Sequence, residues 1–415
     1  MRHLREKIVT SLSPVETRKL VKDIIEIPSV TGDETELAIY VADFLKTAGV
    51  DVELQEVKKG KLQTIGRIRG HGEGQSIMLC GHLDIFPPTI TMTNPYKAVF
   101  TDNRVYGAGI GDMKAGVAAM LMAAQAIQKS EVRLKGDVVI AAVMEEEIGG
   151  VGITHLLNSG MTADMGIVPE CHNLQIHTVG AGIAQFTIST LGKSTHVSAK
   201  EQGVDAIAKM MKTIQALDQI QFTHEPDSRV PLLPRFTMGS IIGGRGRQYD
   251  LRGAQNLSDY CSVIMDVRFW KSQTVKTIED DLRCVLNTLA ITDPDFRYEL
   301  SGVPSPFENR AINRNPKDVS RDALIVKLVQ KNHAYITGSP AKFEDTQNTA
   351  GSDDGSHMNE AGIPTITYGP GPGESDVDHW KSLPLAERWI DFNTILTCAK
   401  VLALTAFDCC SMEKP

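Results

Sequence analysis

The chain has 415 residues, of which 42% are hydrophobic and 23% charged, and its formal net charge is -8. This length exceeds one ordinary hydrophobic core, so we expect two domains. The acidic balance and scattered basic residues argue against nucleic acid or an anionic membrane surface as a partner. The charged start MRHLREKIVT does not resemble a signal peptide, and no stretch approaches the roughly 20 apolar residues of a membrane span. Seven cysteines without CxxC spacing predict reduced thiols and a cytoplasmic protein.

The first 170 residues alternate between predicted helices and strands. Predicted helices cover 14–27, 34–48, 112–130 and 151–159, and predicted strands cover 51–56, 62–68, 76–81, 137–144 and 165–168. Asp112 is placed to cap the third of these helices. The alternation predicts an α/β domain on a mostly parallel sheet.

The pattern changes after Val179. The segment AQFTISTLG alternates with the period of two that is typical of an antiparallel strand. Further elements are predicted at 204–219 (helix), 236–242 and 259–268 (strands) and 274–290 (helix), and the first pattern returns near 322. The sequence therefore predicts a catalytic domain of residues 1–181 and 304–415, split by an inserted α+β domain of residues 182–303.

Five acid or histidine residues each follow a short apolar run. They are His82, Asp112, Glu147, Glu170 and His379. Short apolar runs bounded by Gly and Pro are typical of buried parallel strands, and chemistry in such sheets lies beyond the carboxyl ends of the strands. Two histidines and three carboxylates are enough to hold two divalent metals, with one carboxylate bridging them. This pattern indicates a metal-dependent hydrolase.

Two short motifs add chemistry to these candidate ligands. In His82-Leu83-Asp84, alternation places His82 and Asp84 on one side of an extended segment, so that Asp84 can orient a metal-binding imidazole. In Glu145-Glu146-Glu147, three acids follow the apolar VVIAAVM. Such a run is typical of a solvated loop or of a cation site, where one acid binds metal and its neighbour transfers the proton.

Other segments admit two interpretations each. The run GAGIGD before a helix suggests a dinucleotide-binding loop, but its terminal Asp112 would repel a pyrophosphate, so we disfavour that interpretation. Cys171 is either a soft metal ligand or, as we favour, a buried thiol. His196 fits an exposed hairpin turn. Arg268 either binds a substrate carboxylate or pairs with Asp266 or a surface acid.

Taken together, the motifs resemble one family over residues 15 to 400. They are GHLDIFPP, YGAGIGDMKAGVAA, EEEIGG, PECHNLQI, GKSTHVSAKEQGVDAI and GSDDGSHMNEAGIPTITYGPG. In this order they resemble the co-catalytic metallohydrolases that include acetylornithine deacetylase, succinyl-diaminopimelate desuccinylase, aminoacylase and glutamate carboxypeptidase. The resemblance implies a catalytic domain of the zinc-exopeptidase type and an inserted ferredoxin-like domain that serves for dimerisation and as a lid.

The resemblance also implies a role for each candidate residue. Asp112 would bridge two metals, with His82 and Glu170 completing one site and Glu147 and His379 the other. Asp84 would orient His82, and Glu146 would be the general base. His196 would reach the partner subunit's site and stabilise the oxyanion, while Asn256 and Arg268 would hold the substrate's carboxylate. The Asp112–Met113 peptide would be cis.

The expected function is therefore a metal-dependent amidohydrolase that acts on a small carboxylate substrate such as an N-acyl amino acid or peptide-like compound. One or two divalent metals per chain, zinc or also manganese or cobalt, and a homodimer or higher oligomer are expected with it. The chain departs from the family pattern at Ala108, at the order Pro169-Glu170 and in HWKSLP. A hydrolytic deaminase of a nitroanthranilate-type aromatic amine and a non-catalytic metal-binding protein are the alternatives, and an NAD-linked enzyme is a distant third.

Overall fold

The computed structural model describes residues 2–72, 74–252, 254–304, 312–344, 349–373, 380, 382–384 and 387–414. The chain divides into two compact units, each of which is described by itself. The first unit comprises Met1–Gly180, Lys317–Asp345 and Asp353–Pro415, and the second comprises Ala181–Pro316 and Thr346–Ser352. Dimerisation through the insert at 182–303 stays a prediction.

The helices run in chain order as follows: α1 Arg2–Thr10, α2 Pro14–Glu26, α3 Thr35–Thr47, α4 Ala115–Lys129, α5 Val151–Asn158, α6 Ala206–Leu217, α7 Val275–Thr292, α8 Leu324–Thr337, α9 Gly355–Glu360 and α10 Phe392–Cys410. The strands are β1 Asp51–Lys58, β2 Lys61–Ile68, β3 Ile77–His82, β4 Val99–Thr101, β5 Arg104–Tyr106, β6 Val138–Val143, β7 Met165–Val168, β8 Val179–Gly180, β9 Gly182–Leu191, β10 Arg235–Gly244, β11 Tyr260–Phe269, β12 Arg297–Gly302, β13 Asn313–Arg314, β14 Lys317–Asp318, β15 Thr365–Thr367 and β16 Ile390–Asp391.

A six-stranded sheet in the order β1-β2-β6-β3-β7-β15 forms the centre of the first unit. Strands β6, β3, β7 and β15 are parallel to one another, whereas β1 and β2 join the sheet antiparallel. Every residue of β3, β6 and β7 is buried, as expected for strands that are covered on both faces. The predicted α/β class with a mostly parallel sheet is confirmed.

Two long apolar segments lie inside the first unit. Ile110–Lys129 and Phe392–Cys410 are long and apolar enough to cross a membrane, which the sequence analysis did not anticipate. However, 83% and 78% of the most apolar 18-residue stretch of each segment is buried within the protein. Helices α4 and α10 pack against each other and contribute to the same hydrophobic core as the central strands. Their composition is therefore explained by their position in the core.

The second unit has the element order β9-α6-β10-β11-α7-β12 around an antiparallel sheet in the order β10-β11-β9-β12. The first strand, β9, thus lies between the third and the fourth, and the second strand, β10, lies at one edge. A βαββαβ chain order with this pairing is ferredoxin-like. Apolar residues of α6, α7 and the strands form a separate core. The predicted ferredoxin-like insert is confirmed.

One local prediction is wrong. Helix α4 begins at Ala115, and Asp112 lies three residues before it, in an extended conformation with φ -157° and ψ 91°. Asp112 therefore does not cap the helix. The reason is that the preceding turn directs its carboxylate toward His82, at a hydrogen-bonding distance of 3.1 Å. The Asp112–Met113 peptide bond is cis, which confirms the expectation from the family resemblance.

Candidate metal centre

Three side chains converge at the carboxyl end of the central sheet. His82 ends β3, Asp112 lies in the turn before α4, and Glu170 follows β7. His82 Nε2 lies 3.1 Å from Asp112 Oδ1 and 3.1 Å from Glu170 Oε1. Ligand atoms of all three residues lie within 4.8 Å of one another. This is the convergence that parallel neighbouring strands impose on residues at their carboxyl ends.

The other nitrogen of the His82 ring determines what Nε2 can do. His82 Nδ1 lies 2.8 Å from the backbone carbonyl oxygen of Asp84, which can only accept a hydrogen bond. Nδ1 therefore carries the proton, and in the neutral ring Nε2 presents a lone pair. Asp84, the predicted orienting residue, contacts the ring in two ways: its backbone oxygen is the nearer, and its carboxylate Oδ1 lies 3.5 Å from Nδ1.

The site needs a positive charge at its centre. A lone pair on His82 Nε2 faces two carboxylate oxygens that are also acceptors, so either a proton or a cation must lie between them. Burial lowers the pKa of His82, but hydrogen bonds to Asp112, Asp84 and Glu170 outweigh it and hold the pKa well above 6.5. One imidazole nitrogen and two carboxylate oxygens are a donor set that suits first-row divalent metals. The residues present thus fit the expected metal.

The raised pKa values of two glutamates at the site also indicate that negative charge is crowded there. Burial, followed by repulsion from Asp112, raises the pKa of Glu170 to about 7. The same two causes raise the pKa of Glu147 to about 10. Acids that are crowded in this way bind protons tightly unless a cation neutralises them. The charge of Glu147 therefore interacts with that of Asp112 in the three-residue cluster.

Asp84 connects the histidine strand to the glutamate loop. Its Oδ1 accepts a hydrogen bond from the backbone N–H of Glu146 (3.0 Å), and its Oδ2 accepts one from the backbone N–H of Glu147 (3.1 Å). The Thr31 hydroxyl donates a third hydrogen bond, to Oδ2, at 3.1 Å. Burial raises the pKa of Asp84, but His82 and these backbone donors leave it below the ordinary value. The sequence did not indicate this second task of Asp84.

The first glutamate of the run has a separate partner. Glu145 adopts a positive φ of 54°, and its buried carboxylate forms an ion pair with Lys58 of β1. Glu34 lies nearby, fully buried, and burial followed by repulsion from Asp84 raises its pKa to about 7. Neither Lys58 nor Glu34 was a candidate, because a lysine in a polar strand and an acid in TGDETE carry no distinctive sequence signal.

The remaining candidates lie elsewhere. His379 falls outside the described residues. His196, Asn256 and Arg268 belong to the second unit, where the backbones of His196 and Asn256 pair in a β-bridge. Arg268 Nε donates to Asp266 Oδ1 at 2.6 Å, which is the pairing that the sequence left open. Cys171 is half-buried, its thiol lies 3.8 Å from the carbonyl oxygen of Ile110, and desolvation raises its pKa well above 9.0.

Known proteins are similar to this chain over most of its length. Residues 78–408 match the sequence pattern of Peptidase family M20/M25/M40. An N-formyl-4-amino-5-aminomethyl-2-methylpyrimidine deformylase from Halalkalibacterium halodurans is 26% identical, over 86% of this chain and 87% of the relative. An acetylornithine deacetylase from Proteus mirabilis is 27% identical, over 85% of this chain and 88% of the relative.

Solved structures share the fold. A di-peptidase from Saccharomyces cerevisiae superimposes with a TM-score of 0.76 at 13% identity, covering 98% of both chains. A dinuclear metal-binding peptidase of the M20 family from Bacillus subtilis superimposes with a TM-score of 0.64 at 15% identity, covering 96% of this chain and 98% of that one. The expectation of a hydrolase that acts on amide C–N bonds is confirmed, and the chain belongs to peptidase family M20/M25/M40.

Proposed function

We propose that this protein is a divalent-metal-dependent amidohydrolase that cleaves the amide bond of a small N-acylated substrate carrying a carboxylate. One observation carries the proposal. His82 Nε2 lies 3.1 Å from a carboxylate oxygen of Asp112 and 3.1 Å from one of Glu170, an arrangement that a bound cation completes. In this proposal Glu147 and His379 hold a second metal, so that one or two ions of zinc, manganese or cobalt bind per chain.

Glu146 is the general base of the proposed reaction. Its side chain is almost fully buried beside Glu147, and its backbone is held by Asp84 at 3.0 Å. A bound divalent metal supplies Lewis acidity for a carbonyl group and for water. The carboxylate of Glu146 takes the proton from the attacking water and then gives it to the leaving amine. A fixed backbone keeps this carboxylate in one place during both transfers.

His196 is proposed to donate a hydrogen bond to the developing oxyanion in the partner subunit. The backbone N–H of Ser198 donates to His196 Nδ1 at 3.2 Å, so in the neutral ring the proton is on Nε2. The ring is exposed and therefore accessible to another chain. Asn256, paired with His196 along the backbone, and Arg268 are proposed to bind the substrate carboxylate. The ion pair with Asp266 holds the Arg268 side chain in place.

The names of two relatives suggest the size of the acyl group that the proposed reaction releases. The two sequence relatives described above are a deformylase and a deacetylase, which by their names remove a one-carbon or two-carbon acyl group. We infer that this protein also releases a small acyl group from a larger amine. We also infer a cytoplasmic location for this protein, because all seven cysteines are free thiols.

An exposed apolar patch supports a homodimer formed through the second unit. It consists of Ile207 and Met211 of α6 and Ile241 of β10, which are 42%, 58% and 56% exposed. The two elements adjoin, because a Cβ added at Gly243 would lie 2.8 Å from the Ile207 side chain. Strand β10 is an edge strand of its sheet. An open edge with apolar neighbours is typical of a surface that a second copy covers.

The test combines metal content with one substitution. Metal is counted in the wild type and in Glu146→Gln, and both are assayed on N-formyl and N-acetyl amino acids. We expect equal metal content and a loss of at least about a hundredfold in kcat for the variant. Retained activity would remove Glu146 from its role. Ammonia release from an aromatic amine without any acyl product would replace the proposal with the deaminase alternative.

A further inference from the structure

A cavity opens directly beside the metal centre. It has a volume of about 160 Å³, and Asp112 and Glu147 contribute to its lining. Among the described residues, most of the remaining lining is apolar: Ile85, Phe86, Pro87, Pro88, Met92, Ile110 and Trp380. A cavity that is lined by carboxylates of the candidate metal centre, by the polar Thr89 and Arg388 and otherwise mostly by apolar side chains is suited to the part of a substrate next to the reacting bond.

One wall of the cavity is a fixed tryptophan. The Trp380 ring lies against the backbone of Gly111, where an added Cβ would be 3.4 Å from the ring. Its Nε1–H donates to the carbonyl oxygen of Trp389 at 2.5 Å, and the Arg388 guanidinium lies 4.7 Å from the ring centroid. Three different contacts thus hold the indole, so that it forms a preorganised flat surface.

A second part of the lining is provided by the segment after the histidine strand. Ile85 is held by two backbone hydrogen bonds, from its own N–H to the carbonyl oxygen of Ser29 (3.0 Å) and from the N–H of Thr31 to its carbonyl oxygen (3.1 Å). The next residue, Phe86, is 58% exposed although its backbone follows this fixed point. An exposed phenyl ring that lines a cavity loses contact with water when a ligand enters.

The size and chemistry of the cavity select a ring. An apolar protein cavity of about 150 Å³ is large enough to bind benzene. Phenyl, indole and proline rings and a methionine thioether all favour contact with an aromatic face or edge. We propose that this cavity binds a six-membered aromatic or heteroaromatic ring of the substrate, close to the scissile amide. The inference rests on the proposed amidohydrolase function and adds the substrate class.

The kinetic test uses two substrates that differ by the ring. The ratio of kcat/KM for N-acetyl-phenylalanine to that for N-acetyl-alanine is measured in the wild type, in Phe86→Ala and in Ile90→Ala. Ile90 is fully exposed, lies in the same loop and does not line the cavity, so it is the matched control. We expect a ratio of at least about tenfold in the wild type and in the control, and a clear fall in Phe86→Ala. A ratio near one in the wild type would overturn the inference.

A binding measurement separates this inference from the proposed function. The affinities of 3-phenylpropionate and propionate for the metal-loaded protein are compared by calorimetry, in the wild type and in Phe86→Ala. We expect the phenyl compound to bind at least about tenfold more tightly to the wild type, with much of the difference lost in the variant. This result without amide hydrolysis would retain the ring site and reject the amidohydrolase. Amide hydrolysis together with equal affinities for 3-phenylpropionate and propionate would retain the amidohydrolase and reject the ring site.

Discussion

The carboxylate of Asp84 accepts a hydrogen bond from the backbone N–H of Glu146 at 3.0 Å, and so fixes the proposed general base to the segment that follows His82, the proposed histidine ligand. The second carboxylate oxygen holds Glu147 in the same way, at 3.1 Å. One buried carboxylate thus contacts both the His82 ring and the backbone of the two proposed functional glutamates. The relationship is built from backbone donors, which remain the same whatever side chain follows.

Asp84→Asn is expected to weaken both metal binding and catalysis. The amide has one acceptor oxygen where the carboxylate has two, so its NH₂ group faces a backbone donor of the Glu146–Glu147 loop. Changes of this kind behind a metal ligand cost about 10-fold to 100-fold in affinity or activity. Thr31→Val removes the hydroxyl that donates to Asp84 and to the carbonyl oxygen of Ile85 but keeps both backbone donors to Asp84, and it is the matched control. Metal titration and kcat measure both effects, and an Asp84→Asn variant that behaves like the control would contradict the assignment.

Glu34 is expected to make stability fall as pH rises from 5 to 8. Its pKa is raised from 4.5 to about 7 in the folded chain by burial and then by Asp84. Between these values the folded protein holds the extra proton, so raising the pH favours unfolding. Glu34→Gln resembles the protonated acid and should remove this cost, which is on the order of 3 kcal/mol at pH 8 and about 1 kcal/mol at pH 5.

Chemical denaturation at the two pH values measures the effect of Glu34. Glu36→Gln, at an exposed position in the helix that follows, is the control that changes charge without changing a buried group. A Glu34→Gln variant that is destabilised at pH 8, or stabilised equally at both pH values, would show that burial does not hold the proton on this side chain.

Lys317 is expected to be essential for stability. Its Nζ lies 3.0 Å and 2.8 Å from the two carboxylate oxygens of Asp353, and both side chains are buried beside Thr367. Lys317→Met leaves a buried carboxylate uncompensated, which costs about 3–5 kcal/mol. The double variant Lys317→Met with Asp353→Leu should recover a large part of this loss. Denaturation midpoints of the three proteins test the expectation, and equal loss in single and double variants would refute it.

The apolar patch of the second unit predicts the outcome of a charge substitution. Ile241→Lys places a charge on the edge strand β10, within the proposed dimer contact, so the variant should be monomeric by light scattering at concentrations where the wild type is dimeric. Its kcat should also fall, because His196 would act across the interface. Val15→Lys, at an exposed apolar residue of the first unit, is the control. A monomeric wild type would exclude the dimer.

Much of the fold could be predicted, because hydrophobic periodicity decides it. The strands that end in His82 and before Glu170 are short apolar runs, and the structure buries every residue of β3 and β7. The helix start at Asp112 could not be predicted in this way. Capping rules are local, whereas the extended conformation of Asp112 belongs to a turn that directs its side chain to a residue thirty positions away.

The site shows the same division. His82, Asp112 and Glu170 were candidates because each follows a short apolar run, and the structure places their ligand atoms within 4.8 Å. The tasks of Asp84 toward backbone N–H groups and of Lys58 toward Glu145 were not predictable. Both depend on which segments meet across the fold, and no spacing rule along the chain contains that information.

The backbone attachment of the glutamate loop has a consequence for how this scaffold changes over time. Asp84 accepts hydrogen bonds from backbone N–H groups. A substitution at position 146 or 147 therefore changes the side chain at the proposed site and keeps the hydrogen bonds that hold the loop. The backbone hydrogen bonds thus determine where a side chain of this loop lies, and the residue type alone determines its chemistry. In the course of evolution, a single substitution at position 146 or 147 can therefore replace the proposed base or the proposed ligand, and the backbone contacts to Asp84 already position the new side chain.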